Sequence, residues 1–309
     1  VATEEDQTRQ QREDQDEFLG PTTHLELYRL TVRARFNEPL FAHAALARGR
    51  GVLLREAILK AGNTVFDLNS GIRWRVAPIT EIDATGLRFH FGKSQNLSVP
   101  VADNTSGDFT VEEINAWPNT HVIVDTDLQV AAIGRNTKLA QNTRTVSLAL
   151  QEVLSATTVA KESSIEIRAS PIEDPTDFLE RLKAAAVVTK LWLTIPRPNP
   201  FDVEEDFHRP TSAVLEELKA DNATVTWQGQ HIDAHHQKVP ELVRSAATSG
   251  GSYGATIKET QDSQAMTIRQ HKTAKAATLS IKPRERVTQK TVLERVKAFY
   301  HYLRGKNSP

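Results

Sequence analysis

Alternation of apolar and polar side chains is the strongest pattern in the chain. Over residues 25–36, Tyr28, Leu30, Val32, Ala34 and Phe36 fall on one side, and Arg29, Thr31, Arg33 and Arg35 on the other. A period of two predicts a long strand with one buried face. Residues 72–77 repeat the pattern, with Ile72, Trp74 and Val76 inward and Arg73 and Arg75 outward. So do residues 87–91, with Leu87, Phe89 and Phe91 inward and Arg88 and His90 outward. Residues 120–124 and 128–133 predict a hairpin that turns at Asp125-Thr126-Asp127.

Helical spacing appears between these segments. Residues 52–61 predict a helix closed by Gly62, and residues 138–154 a second with Leu139, Val146, Leu150, Val153 and Leu154 on its apolar stripe. The small polar residues 156–163 mark a boundary. Beyond it a strand over 165–169, a helix opened by Asp174-Pro175 and a strand over 187–195 make a β-α-β unit, stopped by the prolines from Pro196 to Pro200. Helices over 211–220 and 240–247 and strands over 224–227, 253–258, 265–270 and 277–281 follow. The last helix, 288–304, puts Val292, Val296, Phe299 and Leu303 on its core side and ends at Gly305.

This mixture predicts an α+β protein of two lobes, each a mixed or antiparallel sheet packed with helices. The lobes span residues 21–155 and 164–305. Residues 1–20 are polar and acidic, lack the apolar surface to offset ordering, and read as a disordered tail. A length of 309 residues suits two domains. The absence of cysteine excludes disulfides, zinc-thiolate sites and thiol nucleophiles. No apolar run is long enough to span a bilayer, and the acidic start is unlike a signal peptide. The expectation is a soluble, cytoplasmic protein with no membrane partner.

Charge changes the picture more than composition does. The formal net charge is only −1, yet residues 255–309 carry 12 Lys/Arg against 4 Asp/Glu, and residues 101–254 carry 13 against 22. If the three early strands pair, Arg29, Arg33, Arg35, Arg73, Arg75, Arg88 and His90 emerge on one face. Guanidinium forks match phosphate oxygens, which makes a nucleic-acid backbone, RNA or DNA, the natural ligand. A second basic cluster gathers Lys272 and Lys275 at a hairpin tip, Arg284 and Arg286 before the last helix, and Lys290 and Lys297 on it. Six engaged phosphates would weaken binding about a thousandfold between 50 and 200 mM salt.

Two further constellations carry alternative chemistry. Asp202, Glu204 and Asp206, with His235 from the stretch His231-Ile-Asp-Ala-His-His236, offer oxygen and nitrogen ligands to Mg²⁺ and so a metal-dependent nuclease. The structural alternative is an acidic first helical turn and a polar loop. If the basic ends instead meet the acidic middle of a neighbour, the chain is a non-catalytic scaffold or homo-oligomer with a protein partner. The nucleic-acid reading needs no cofactor. Glycine clusters at Ser249–Gly254 and Arg48–Gly51 lack the phosphate-loop spacing.

The stretch Phe109-Thr-Val-Glu-Glu, Trp117-Pro-Asn-Thr120, Val124-Asp125 and Asn136 before an apolar helix resembles uncharacterised bacterial proteins of phage-defence and mobile-element neighbourhoods. The resemblance covers residues 24–304. It implies a bacterial cytosol, an accessory role in antiphage defence and dealings with foreign nucleic acid, and it carries no catalytic residue.

Overall fold

The alternating segments form strands and the helical stripes form helices, in an α+β arrangement. A computed structural model describes residues 23–35, 39–68, 71–102, 109–196, 214–215, 217–218, 220, 222–270, 275–282 and 287–305. β1 (Thr23–Ala34) leads to α1 (Pro39–Leu46) and α2 (Arg50–Ala61). β2 (Thr64–Asp67), β3 (Arg73–Val76), β4 (Thr80–Glu81) and β5 (Gly86–Lys93) follow. Next come β6 (Gln95–Ala102), β7 (Phe109–Ala116), β8 (Asn119–Asp125) and β9 (Val130–Gly134). Helices α3 (Thr143–Ala156) and α4 (Thr158–Glu162) precede β10 (Ile165–Pro171), β11 (Glu173–Asp174) and α5 (Thr176–Ala184). The chain continues through β12 (Val187–Pro196), β13 (Asn222–Gln228), α6 (Lys238–Ser249) and β14 (Ser252–Lys258). It closes with β15 (Met266–Arg269), β16 (Lys275–Ala276), β17 (Thr278–Ile281) and α7 (Gln289–Leu303).

The described residues fall into two units, and the division is not a single cut in sequence. A central unit holds Val32–Asp127 and Ala131–Ala169; a terminal unit holds the residues up to Thr31, Leu128–Val130 and those from Ser170 onward. The sparse stretch read as a boundary at 156–163 is mostly helix α4, inside the central unit. Thr157 caps it by accepting the Ala160 N–H at 3.3 Å, and Ala160 is buried.

In the central unit the sheet runs β10–β1–β9–β8–β5–β3–β2, with the first three strands contributing residues 165–169, 32–34 and 131–134. β1 is therefore separated from β5 by two strands, so the three early strands do not form one ladder as expected. Antiparallel pairing sets Arg75 opposite Gly92, and His90 opposite His121. Buried Leu53, Leu54 and Ile58 of α2 and Val146, Leu150 and Leu154 of α3 supply the apolar layer, with Trp74 stacked on Phe91 at 4.8 Å. Asn142 caps α3 through Thr145 N–H, so the helix begins five residues after the predicted start at Lys138, beyond a turn that still buries Leu139. Ile72 is 39% exposed rather than inward, because the ladder begins only at Arg73. A two-stranded arm, β6 with β7, also belongs to this unit.

The terminal unit contains a four-stranded antiparallel sheet ordered β13–β12–β14–β15. α5 and α6 cover one of its faces, where Phe178, Leu182, Val243 and Ala246 meet Leu191, Leu193, Ala255, Ile257 and Ile268. Phe178 packs edge-on to Tyr253 at 4.9 Å. The Asp174 carboxylate accepts the Thr176 N–H at 3.0 Å, but Pro175 stands at the N-cap and not at the first helical position, so the helix opens one residue later than read. However, β10 and β12 lie in different sheets, so α5 does not make the expected β-α-β unit.

The first half of β1 pairs with β17, Thr23 opposite Ile281, and its polar side is covered. Arg29 is 2% exposed; its guanidinium donates to the Leu128 carbonyl at 2.7 Å and to the Tyr300 hydroxyl of α7 at 2.8 Å. Burial pushes the Arg29 pKa down from its ordinary value, yet an arginine keeps its charge, so these acceptors are needed. Tyr300→Phe keeps the ring and removes one acceptor from a buried cation, a loss expected to destabilise the terminal unit by about 1–3 kcal/mol in urea unfolding. A change below about 0.5 kcal/mol would show that the contact does not hold the strand.

Candidate functional site

The predicted arginine face divides into used and available members. Arg29 is in the core. Arg33 lies 3.2 Å from Glu166, a carboxylate shared with Arg168. Arg35 donates to the carbonyls of Ile165 at 3.0 Å and Ser155 at 2.8 Å. These three position β1 and are not a surface row. Their alternation with apolar residues was real, but a second layer covers the polar side.

Arg73, Arg75 and Arg88 do share a face. Arg75 stands opposite Gly92, two positions from His90 and four from Arg88 along β5, so the pleat turns all of them one way. Arg73 and Arg75 are exposed, Arg75 donating to Asn63 at 3.4 Å. Asp67 is the register partner of Arg73. Among the described residues no carboxylate lies within ion-pair distance of Arg73 or Arg75.

Arg88 sits between two histidines. Its guanidinium is 3.3 Å from His90 Nε2 and 3.3 Å from His121 Nδ1. Arginine only donates, so both ring nitrogens must be bare acceptors and both imidazoles neutral. His90 then carries its proton on Nδ1, donated to Asn119 Oδ1 at 2.9 Å. Burial, with His90 and Arg88 adding to it, holds His121 down at about 4.

The remaining predicted residues do not gather into a site. Lys290 is exposed and Lys297 half-buried on α7, and Lys275 is paired in register with Asp174 between β16 and β11. Lys272, Arg284, Arg286, Asp202, Glu204 and Asp206 lie outside the described residues, as does half of the helix expected at 211–220. His235 is exposed in the loop before α6, its backbone N–H bonded to Asp233 at 2.9 Å. Among the described residues no three His, Asp or Glu side chains are placed to hold a metal, and no helix is long and apolar enough to cross a membrane.

Sequence reading passed over the outer face of the four-stranded sheet. Helices fill one side; on the other, one row across the strands reads Thr226, Trp192, Gly254, Arg269. The Trp192 ring lies over Gly254 so closely that a Cβ there would be 2.2 Å from the indole. Lys190 Nζ is 5.8 Å from the ring centroid. An open cleft of about 710 Å³ follows this face, lined by Lys190, Trp192, Thr226 and Arg269 with Glu173, Thr256 and others. The available signal was Lys190-Leu-Trp192-Leu-Thr194, where tryptophan falls on the polar side of an alternating strand.

No family model matches the sequence, and a search of curated proteins returns no match.

The His121 geometry has a pH consequence. Its folded pKa, about 4, lies below the ordinary 6.5, so folding favours the neutral ring. The stabilisation is complete above 6.5 and is lost as pH falls from there toward 4, by up to about 3 kcal/mol. Imidazole NMR is expected to show one ring titrating near pH 4, absent in His121→Gln, whose stability varies less over that range. A His121 resonance titrating near 6.5 would contradict the network.

Proposed function

We propose that the protein binds nucleic acid by its phosphate backbone, through Arg73, Arg75 and Arg88 on one face of the central unit. The observation that carries this reading is the strand register, which turns Arg73, Arg75 and Arg88 to one face, with Arg73 and Arg75 exposed and, among the described residues, no carboxylate within ion-pair distance of those two. Like charges on one pleated face repel, and an anionic ligand with several oxygens offsets that cost while accepting bidentate hydrogen bonds. Phosphodiesters repeat at a spacing that lets neighbouring arginines engage one strand.

Arg88 is held differently from the other two. Contacts to His90 and His121 at 3.3 Å fix its direction. The resemblance to phage-defence accessory proteins is in keeping with foreign nucleic acid as the ligand, and with a cytoplasmic, bacterial setting.

Three phosphates instead of six make a gentler salt response. Affinity for a labelled duplex or single strand is expected to fall about twenty- to fortyfold between 50 and 200 mM salt. Replacing both exposed arginines, Arg73→Gln with Arg75→Gln, should weaken binding at 50 mM and flatten the logarithmic salt slope by about 2. Filter binding across salt reads both effects. A salt-independent affinity, or a double variant that binds like wild type, would contradict the assignment.

A further inference from the structure

We infer that the open face of the terminal unit's four-stranded sheet is a stacking site for bases of single-stranded nucleic acid, with Trp192 as its platform. The inference rests on the nucleic-acid reading above and specifies the form of the ligand and a second place of contact. Leu191, Leu193 and Ile195 bury the other face of β12, so Trp192 lies on the side away from the core. A large aromatic side chain left half-buried beside an open cleft marks a contact surface.

Gly254 sets the pose of the ring. A side chain on the neighbouring strand would stand between Trp192 and the sheet; without one the indole lies down against the backbone, as the 2.2 Å distance to an added Cβ shows. A ring lying on a sheet presents a π-face where a ring standing upright presents an edge. A nucleobase stacks on a face, and it does so whatever its identity.

The polar surroundings suit a nucleotide strand. Lys190 Nζ lies over the ring and Arg269 stands in the same row, so positive charge suited to the phosphates of a stacked nucleotide gathers at the platform. Thr226, Thr256 and Thr267 add hydroxyls that can donate or accept. The cleft, about 710 Å³, has room for a nucleotide unit and is open along the sheet. Its described lining includes one carboxylate, Glu173, where paired-carboxylate chemistry on a sugar needs two. Duplex nucleic acid keeps its base faces stacked inside the helix, so this site selects single strands.

The test compares a ten-nucleotide oligothymidylate with an abasic strand of the same length and charge, by fluorescence anisotropy at 200 mM salt. Wild type is expected to bind the base-bearing strand about tenfold more tightly. Trp192→Leu should lower that affinity to the abasic level and leave abasic binding unchanged. Trp192→Phe should retain part of the preference. Gly254→Ala keeps the indole but lifts it from the sheet, and should lose the preference with the fold intact by circular dichroism. Arg73→Gln with Arg75→Gln, in the other unit, should leave the preference for the base-bearing strand in place.

Equal affinity for the two strands in wild type overturns the stacking site while leaving backbone binding in place. A preference that survives both Trp192→Leu and Gly254→Ala does the same. Quenching of Trp192 by a neutral oligosaccharide, undisturbed by oligonucleotide, also overturns it. Absence of binding to any nucleic acid even at 20 mM salt overturns the proposed function and this inference together.

Discussion

Every strand of this protein presents two faces, and the hydrogen bonds of the ladder are indifferent to what covers either one. Function at the surface therefore depends on which polar faces stay uncovered. Along β1 the polar face is closed: Arg29 is buried with its charge intact because a carbonyl and the Tyr300 hydroxyl accept from it. Arg33 and Arg35 are committed to Glu166 and to backbone carbonyls. Along β3 and β12 the polar face stays open, and there the same alternation leaves arginines and a tryptophan facing outward.

That distinction marks how far the sequence could be read. Period-two alternation located β1, β3, β5 and β12, and capping chemistry located α5, because those signals are local. The Arg73, Arg75 and Arg88 group was legible too, since alternation in two strands sufficed once they paired. Nothing local says that β8 and β9 come between β5 and β1, or that α7 lays Tyr300 on Arg29. Long-range pairing is decided by the summed burial of the whole core, and six arginines became three. Trp192 was missed for the opposite reason: its strand was read correctly, but tryptophan counts as apolar in a pattern search. The glycine that makes it a flat platform lies 62 positions away in the chain.

The two open faces differ in chemistry. On the central unit, three guanidinium groups share a face and a histidine pair contacts one of them, an arrangement that would suit anionic oxygens. On the terminal unit, an indole lies against the backbone of Gly254 with a lysine over its ring and threonine hydroxyls around it, an arrangement that would suit flat rings. Each face can be altered alone, since the side chains concerned are exposed or half-buried and belong to separate sheets.

The most direct test of the open-face account is ¹⁹F NMR of protein labelled with 5-fluorotryptophan, titrated with a short single strand. The chain has four tryptophans, and Trp192→Phe identifies the resonance that matters. The account requires the Trp192 signal to shift with saturation while Trp74, stacked on Phe91 in the other unit, stays in place. A Trp192 signal that does not move while the strand is bound would contradict it.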